Sequence, residues 1–265
     1  MTLTHLLYQV DAFTDEPFKG NPAAVCILSS AITDKKMGLL AAEMNLSETA
    51  FLQPAENGWH LRWFTPKMEV DLCGHATLAS AKVLFDLLPE LKKAPIKFIT
   101  KSGELSARWV DGLVEMDFPV FDYQSRVIGE GDAAVLGFEP VNSAVSGDYL
   151  LFEAGDENAV RRAKPNFDRL STFSESQVMI TAMSNSDDYD FISRFFAPRL
   201  GITEDPVTGS AHCLLGPYWA AKLGKYDLNA YQASARGGSL YLRLEGSRIK
   251  ITGAATIIFK TELVM

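Results

Sequence analysis

The chain of 265 residues is 47% hydrophobic and 22% charged, a composition typical of a globular protein with a sizeable core. Its formal net charge of −8, with no basic run, argues against nucleic acid as a partner. No stretch approaches the roughly 18 apolar residues of a membrane span, and neither a signal peptide nor a CxxC pair is present, so we expect a cytoplasmic protein with no membrane partner.

The first half of the chain alternates short apolar runs with two helical patterns. We distinguish helices from strands by the spacing of their apolar residues and by the capping and turn residues at their ends. In chain order we predict strands at 6–10 and 23–28, a helix at 35–44 capped by Thr33 or Asp34, a strand entered at 45–52, a helix after Gly74, and a hairpin turning at Asp111-Gly112 between 105–109 and 114–118.

The second half repeats this order. We predict a strand at 177–182, a helix from near Ser210 to about Leu223 that Pro217 kinks or breaks, and a hairpin turning at Glu245-Gly246. The boundary between the halves falls in 121–137, which gives an N-terminal lobe at 1–120 and a C-terminal lobe at 121–265. The final strand of the second lobe can pair with the first, and short strands with one long helix per half predict an α+β fold.

Three blocks of sequence recur in the same order. Residues 62–68 (RWFTPKM) are echoed by 194–200 (RFFAPRL) at an offset of 132, while 74–76 (GHA) and 209–211 (GSA) match at an offset of 135. That second offset also relates residues 102–105 to 237–240. We therefore expect two homologous lobes that share a cleft.

An acid distinguishes the first copy from the second at one strand position. At the first offset, residues 48–50 (ETA) align with 180–182 (ITA), so Glu48 occupies a position where the second copy has Ile180. A carboxylate at an otherwise apolar position near a cleft is a candidate general base with a raised pKa. The alternative is an ordinary surface glutamate.

The second copy carries its acid in the three residues that it has gained. Asp205 precedes Pro206 and lies just before the paired glycine, so we expect it close to the start of a helix. The alternative is that Asp205 or Thr208 serves only as the helix cap.

His75 and Ser210 follow the paired glycines Gly74 and Gly209, and both are predicted to project from the first turn of a helix. Two such helix starts would offer backbone N–H groups to a substrate carboxylate, and His75 could also transfer protons near neutral pH. Since no pair of histidines has the spacing of metal ligands, we predict no metal site.

Cys73 lies directly before a predicted helix, where a thiol can become reactive. A racemase with two thiols would need a second cysteine where this chain has Thr208, so that mechanism is rejected, and both residues are expected to line the substrate site. Gly237 and Gly238 could also contact an acidic substrate, although a hairpin entry requires glycine anyway. Without a GxGxxG or P-loop motif, no cofactor is predicted.

Several motifs together resemble one family over nearly the whole chain, the phenazine biosynthesis isomerase-like (PhzF-like) family. They are residues 11–14 (DAFT), 20–25 (GNPAAV), 43–51 (EMNLSETAF), 71–77 (DLCGHAT) and 204–211 (EDPVTGSA). Within this family, the chain resembles the subgroup that contains the vertebrate MAWD-binding protein. The resemblance implies a diaminopimelate epimerase-like fold, with a curled sheet around a central helix in each lobe, and a possible homodimer.

The resemblance also implies roles for four residues. In the family's phenazine member, the acid that matches Glu48 moves a proton on a cyclic dihydroaromatic acid, and the residues that match His75, Asp205 and Ser210 line the site. We therefore predict a cofactor-independent isomerase of a small carboxylic acid. The alternatives are a binding or scaffold protein on the same fold, and an amino- or hydroxy-acid epimerase that uses Glu48 and Asp205 as paired bases.

Overall fold

A computed structural model describes residues 5–264, which form two compact units. The first unit comprises 5–117 with 252–264, and the second comprises Phe118–Ile251. Within the described residues, no helix is long and apolar enough to cross a membrane.

The elements alternate along the chain as an α+β protein. They begin with β1 (His5–Ala12), β2 (Asn21–Ile27), α1 (Asp34–Met44), β3 (Glu48–Ala55), β4 (Gly58–Phe64), β5 (Glu69–Val70), α2 (Gly74–Leu87), β6 (Ile96–Thr100), β7 (Gly103–Val110) and β8 (Leu113–Pro119). They continue with β9 (Gln124–Ser125), α3 (Asp132–Leu136), β10 (Pro140–Ser146), β11 (Tyr149–Ala154), α4 (Glu157–Arg162), α5 (Phe167–Leu170), β12 (Gln177–Met183), β13 (Phe191–Ala197), β14 (Ile202–Asp205), α6 (His212–Leu223), β15 (Asp227–Gln232), β16 (Gly238–Glu245), β17 (Arg248–Gly253) and β18 (Ala255–Leu263).

In the first unit, α2 packs against a sheet whose strands follow the order β18, β1, β2, β3, β4, β6, β7 and β8. The pairs β2–β3 and β4–β6 are parallel and the other pairs are antiparallel. Most residues of α2 are buried, because apolar and small side chains occupy nearly every side of the helix. The final strand therefore belongs to the first unit, where it pairs with β1.

The second unit repeats this order of pairing. Its strands follow the order β10, β11, β12, β13, β15 and β16, and the parallel pairs are β11–β12 and β13–β15. Within the second unit, α6 packs on β15 and β16. The repeat in the sequence is therefore a repeat of strand topology.

One arginine in each copy supports this repeat. Arg62 on β4 donates from Nε and Nη2 to Glu69 on β5 over 2.7 and 2.9 Å, and Arg194 on β13 makes the same fork to Glu204 on β14 over 2.7 and 2.8 Å. Bidentate pairs of this kind fix geometry as well as adding stability. Both arginines lie at the predicted offset of 132, which confirms that alignment for β4 and β13.

The predicted alignment of Glu48 with Ile180 is wrong. Ile180 pairs with Arg194, whereas the residue opposite Arg62 is Phe51. The loop between β12 and β13, residues 184–190, is longer than the two-residue turn at 56–57 that joins β3 to β4. The offset of 132 therefore holds for β4 and β13 but not for the strands before them, β3 and β12. The register places Glu48 in correspondence with Gln177, because each is the first residue of its strand.

Helix α6 accommodates the proline that was expected to kink or break it. Pro217 lies inside the helix, which runs without interruption from His212 to Leu223. A proline cannot donate to the carbonyl four residues earlier, that of Cys213. The backbone N–H of Phe121 donates to this carbonyl instead, over 2.9 Å, so the acceptor stays satisfied.

Candidate active site

Glu48 begins β3, with its side chain mostly buried but not sealed from solvent. Its backbone lies beside Ala23 of the parallel strand β2, and 13% of the side chain remains exposed. A carboxylate in such a position can meet a small molecule while most of its surface is shielded from water.

His75 is the second residue of α2 and lies against Glu48. Its Nε2 atom is 3.3 Å from Oε2 of Glu48, and its Nδ1 atom is 3.3 Å from Nδ2 of Asn21 and 3.5 Å from Sγ of Cys73. The amide nitrogen of Asn21 is a donor, so Nδ1 accepts and the imidazole proton lies on Nε2. That proton faces the Glu48 carboxylate.

The imidazole of His75 is neutral at pH 7. Burial lowers its pKa from 6.5 to about 3, because the charged form would lose its hydration. The expectation that His75 titrates near neutral pH is therefore wrong. Its contribution is a fixed N–H donor next to Glu48.

The start of α2 lacks a side-chain cap. Cys73 is its N-cap and makes no capping hydrogen bond with its side chain, and the first turn holds no acidic residue among the described positions. The first N–H groups of a helix have no partner inside the helix, so those of Gly74 and His75 are suited to a carboxylate.

Glu48, Cys73 and His75 could also offer ligands to a metal ion, since one atom of each lies within 4.8 Å of the others. An ion binds a single imidazole nitrogen and hence one side of the ring. Cys73 approaches Nδ1, whereas Glu48 approaches Nε2. With Cys73 and Glu48 beside different nitrogens of the ring, this arrangement does not fit a three-ligand site.

In the second unit, Asp205 ends β14 and is 6% exposed. Its Oδ2 atom accepts a hydrogen bond from the hydroxyl of Thr208. The N-cap of α6 is Ala211, so neither Asp205 nor Thr208 caps this helix. The alternative of a purely capping role is therefore wrong for both residues.

A fully buried glutamine holds the loop that carries Asp205 and Thr208. Gln232 donates from Nε2 to the backbone carbonyl of Asp205 over 2.8 Å and accepts at Oε1 from the backbone N–H of Thr208 over 2.9 Å. Two backbone contacts from one side chain fix the path of this loop. Sequence patterns did not identify Gln232.

Ser210 lies in a turn two residues before α6, which begins at His212, close to the predicted start near Ser210. Burial raises the pKa of the Tyr149 phenol above its ordinary value. Tyr149 lies opposite Gln177 in the parallel pair of β11 and β12.

His212 is a structural residue that follows the predicted site. It is fully buried, its Nδ1–H donates to the carbonyl of Thr208 over 2.9 Å, and its ring stacks on Phe191. Burial lowers the pKa of His212 to about 4, so it is neutral at pH 7.

The glycine pair Gly237-Gly238 lies at the entry to β16. Gly237 has a φ of 67°, and a Cβ atom there would lie 2.0 Å from the hydroxyl of Tyr231. Gly238 lies opposite Gln232 in the β15–β16 pair. The turn itself requires glycine, which favours the explanation that the glycines serve the entry to the hairpin.

The predicted residues thus form one cluster in each unit. Glu48, Cys73, Gly74 and His75 come together in the first unit. In the second unit, the loop that ends β14 and the turn before α6 carry Asp205, Thr208, Gly209 and Ser210. The sequence analysis did not identify Asn21 as a partner of His75, although Asn21 lies in one of the family motifs. Its position between Gly20 and Pro22 was the signal that could have identified it.

Comparison with known proteins agrees with the resemblance. An uncharacterized isomerase from Halalkalibacterium halodurans is 47% identical over 264 residues, covering 99% of this chain and 100% of the relative. A PhzF-family phenazine biosynthesis protein from Enterococcus faecalis, solved by crystallography, has a TM-score of 0.95 and 40% identity, covering 99% of this chain and 100% of its own.

A more distant structure identifies the fold. A hydroxyproline epimerase from Agrobacterium vitis, solved with bound trans-4-hydroxy-L-proline, has a TM-score of 0.66 at 11% identity, covering 99% of this chain and 93% of its own. This likeness concerns the fold alone, and the diaminopimelate epimerase-like architecture is confirmed. The pattern of the family described as "Phenazine biosynthesis-like protein" matches residues 10–261, and the chain belongs to this family.

Proposed function

We propose that this protein is a cofactor-independent isomerase that moves a proton on a small carboxylic acid, with Glu48 as the base. The observation that carries the proposal is the 3.3 Å approach of the neutral His75 imidazole to the Glu48 carboxylate at the start of α2. A base, a fixed donor and a helix start then lie within reach of one small acid.

In this mechanism the carboxylate of Glu48 takes a proton from carbon next to a carbonyl or unsaturated group. The electron pair left behind is delocalised into that group, and the protonated Glu48 returns the proton to another carbon. The net reaction adds and removes no atoms. Free N–H groups at Gly74 and His75 hold the substrate carboxylate, and the N–H of His75 stabilises developing negative charge.

The loop that carries Asp205 is held by its neighbours. Its Oδ2 atom accepts a hydrogen bond from the hydroxyl of Thr208, and Gln232 fixes the backbone around it. We keep Asp205 and Ser210 as predicted site residues of the second unit and assign the role of base to Glu48.

The cytoplasmic location is part of the proposal. The cysteines Cys26, Cys73 and Cys213 are all free thiols, which fits a reducing compartment.

Proton exchange in D₂O tests the proposed reaction. The protein is incubated with a panel of small unsaturated, amino and hydroxy acids, and deuterium entry is followed by NMR. We expect one compound to exchange, and Glu48→Gln to lower the rate by about 10²–10⁴-fold, the usual contribution of a positioned base. Glu56→Gln, at an exposed glutamate in the turn after β3, is the matched control and should exchange at the parent rate.

Each alternative function has its own outcome. Full turnover by Glu48→Gln would show that another group is the base. Inversion at a stereocentre of the product would favour the epimerase. The absence of exchange across the whole panel would favour the binding protein, for which a partner pull-down is the next experiment.

A further inference from the structure

The two helices that follow the paired glycines, α2 and α6, are not held by the side chains of their own N-caps. The N-cap of α2 is Cys73 and that of α6 is Ala211, and neither makes a side-chain capping hydrogen bond. A cap of that kind normally satisfies one of the first N–H groups and fixes the path of the chain into the helix. The direction of these two helix starts therefore depends on the segments that lead to them.

The strands at the beginning of these segments, β5 and β14, are equivalent. The register pairs Val70 of β5 with Trp63, and Asp205 of β14 with Phe195. Trp63 and Phe195 are related by the offset of 132, whereas Val70 and Asp205 are related by the offset of 135. The second offset therefore already applies at β5 and β14, and it holds as far as the paired glycines.

An arginine holds the first point of each segment. Glu69 accepts the two-bond fork of Arg62, and Glu204 accepts that of Arg194. The two glutamates are related by the offset of 135, and each lies five residues before a paired glycine. The same anchor therefore occurs at the same distance from each helix start.

A serine holds the second point of each segment. Ser102, in the turn between β6 and β7, donates from its hydroxyl to the backbone carbonyl of Asp71 over 2.7 Å. Ser234, in the turn between β15 and β16, donates to the carbonyl of Pro206 over 2.8 Å. The two acceptors are related by the offset of 135, but the two serines are not. Each unit thus makes the same contact, three residues before its glycine, with a different residue of the turn.

The turns that carry these serines are held in shape by hydroxyl groups. The Thr100 hydroxyl accepts from the backbone N–H of Ser102 over 3.2 Å and donates to the carbonyl of Gly103 over 2.7 Å. The Ser234 hydroxyl accepts from the backbone N–H of Gly237 over 3.0 Å. Such local bonds from serine and threonine to the backbone stabilise tight turns. Each serine is therefore presented to its carbonyl by a turn that is already formed.

We propose that Ser102 is a positioning residue for the start of α2, and that Ser234 has the same role in the turn before α6. By holding the carbonyl of Asp71, Ser102 fixes the direction of the N–H groups of Gly74 and His75. Groups that are aligned before binding lose less entropy when they bind, so the affinity for the substrate carboxylate is higher. This inference rests on the proposed function, in which those N–H groups hold the substrate.

The first arm of the test needs no substrate. Protein carrying [¹⁵N]histidine gives one backbone amide NMR signal for each of its four histidines, and the signal lost in His75→Gln is that of His75. We expect this signal to shift in Ser102→Ala and to keep its position in Ser102→Thr, which retains the hydroxyl. A His75 signal that does not move in Ser102→Ala, or that moves equally in Ser102→Thr, would overturn the inference.

The matched control for the first arm is Ser171→Ala. Ser171 is also exposed, and its hydroxyl also donates to a backbone carbonyl, that of Asp168, over 2.6 Å. This bond lies in a turn that leads to neither helix start. The substitution therefore removes the same kind of bond and should leave the His75 signal in place.

The second arm uses the acid that exchanges deuterium with the parent protein. Ser102→Ala should raise KM about fivefold and change kcat less than about twofold, because one net hydrogen bond no longer orders groups that bind the carboxylate in the ground state and the transition state alike. Ser234→Ala should raise KM by a similar factor, and Ser102→Thr should restore the KM of the parent. A lower kcat with an unchanged KM would refute the positioning role.

Turnover at saturating acid separates positioning from damage to the fold. Ser102→Ala should then match the parent, whereas a partly unfolded variant would stay slower at any concentration. Glu48→Gln reports separately on the proposed function. If Glu48→Gln retains turnover, that function fails, and the His75 signal still tests Ser102. If Glu48→Gln loses turnover while Ser102→Ala leaves KM unchanged, only the role of Ser102 fails.

Discussion

Acid sensitivity of folding should depend strongly on His212. This side chain is fully buried and neutral, with a folded pKa of about 4 against about 6.5 in an unfolded chain. Between these values the unfolded chain binds a proton that the folded protein does not, so stability rises with pH and is lost as pH falls below about 6.5. Integration from pH 8 to pH 5 gives a loss of about 2 kcal/mol from this group alone.

Urea unfolding at the two pH values measures this loss. In His212→Gln the titrating group is gone, while the amide can still donate to the carbonyl of Thr208. The free energy of unfolding should therefore fall between pH 8 and pH 5 by about 2 kcal/mol less in this variant than in the parent. His75, whose pKa is lowered to about 3, contributes a similar loss to both proteins.

The matched control is His60→Gln, at an exposed histidine that lies in water whether the chain is folded or not. It should show the same change between the two pH values as the parent. Equal pH dependence in the parent and in His212→Gln would refute the reasoning, because it would mean that His212 binds its proton equally well in both states.

Three further substitutions test the supports of the site, each by urea unfolding. Arg194→Met leaves a mostly buried carboxylate and the carbonyl of Ala163 without their donor and should cost about 3 kcal/mol, whereas Arg243→Met, at an exposed pair, should cost at most about 1 kcal/mol. Equal costs would contradict this. Gly237→Ala should cost more than the roughly 1–2 kcal/mol of a left-handed alanine, because its Cβ meets a packed phenol, while Gly246→Ala has open space and should stay within that range. Gln232→Met removes both backbone contacts of the Asp205 loop and should cost about 2 kcal/mol, and a neutral result would show that the loop holds itself.

The sequence predicted the elements well where local chemistry decides them. Thr33 caps α1 by accepting from the backbone N–H of Lys36, as its place before the helix indicates. The hairpin turn at Asp111-Gly112 needs positive φ at both residues, and both have it. These features depend on a few neighbouring residues and so can be read from sequence alone.

Contacts set by packing could not be read in this way. The correspondence of Glu48 with Gln177 depends on loop lengths, which a constant offset cannot follow. The neutral state of His75 depends on burial by residues distant in sequence.

The position of β18 has a consequence for how the chain folds during synthesis. The second unit is a continuous segment, whereas the first is split and takes its last strand from the end of the chain. On the ribosome, residues 118–251 can therefore complete their sheet while β1 still waits for its partner. Until β18 emerges, the free edge of β1 is a site for pairing with other chains, so truncation near the C-terminus should promote aggregation.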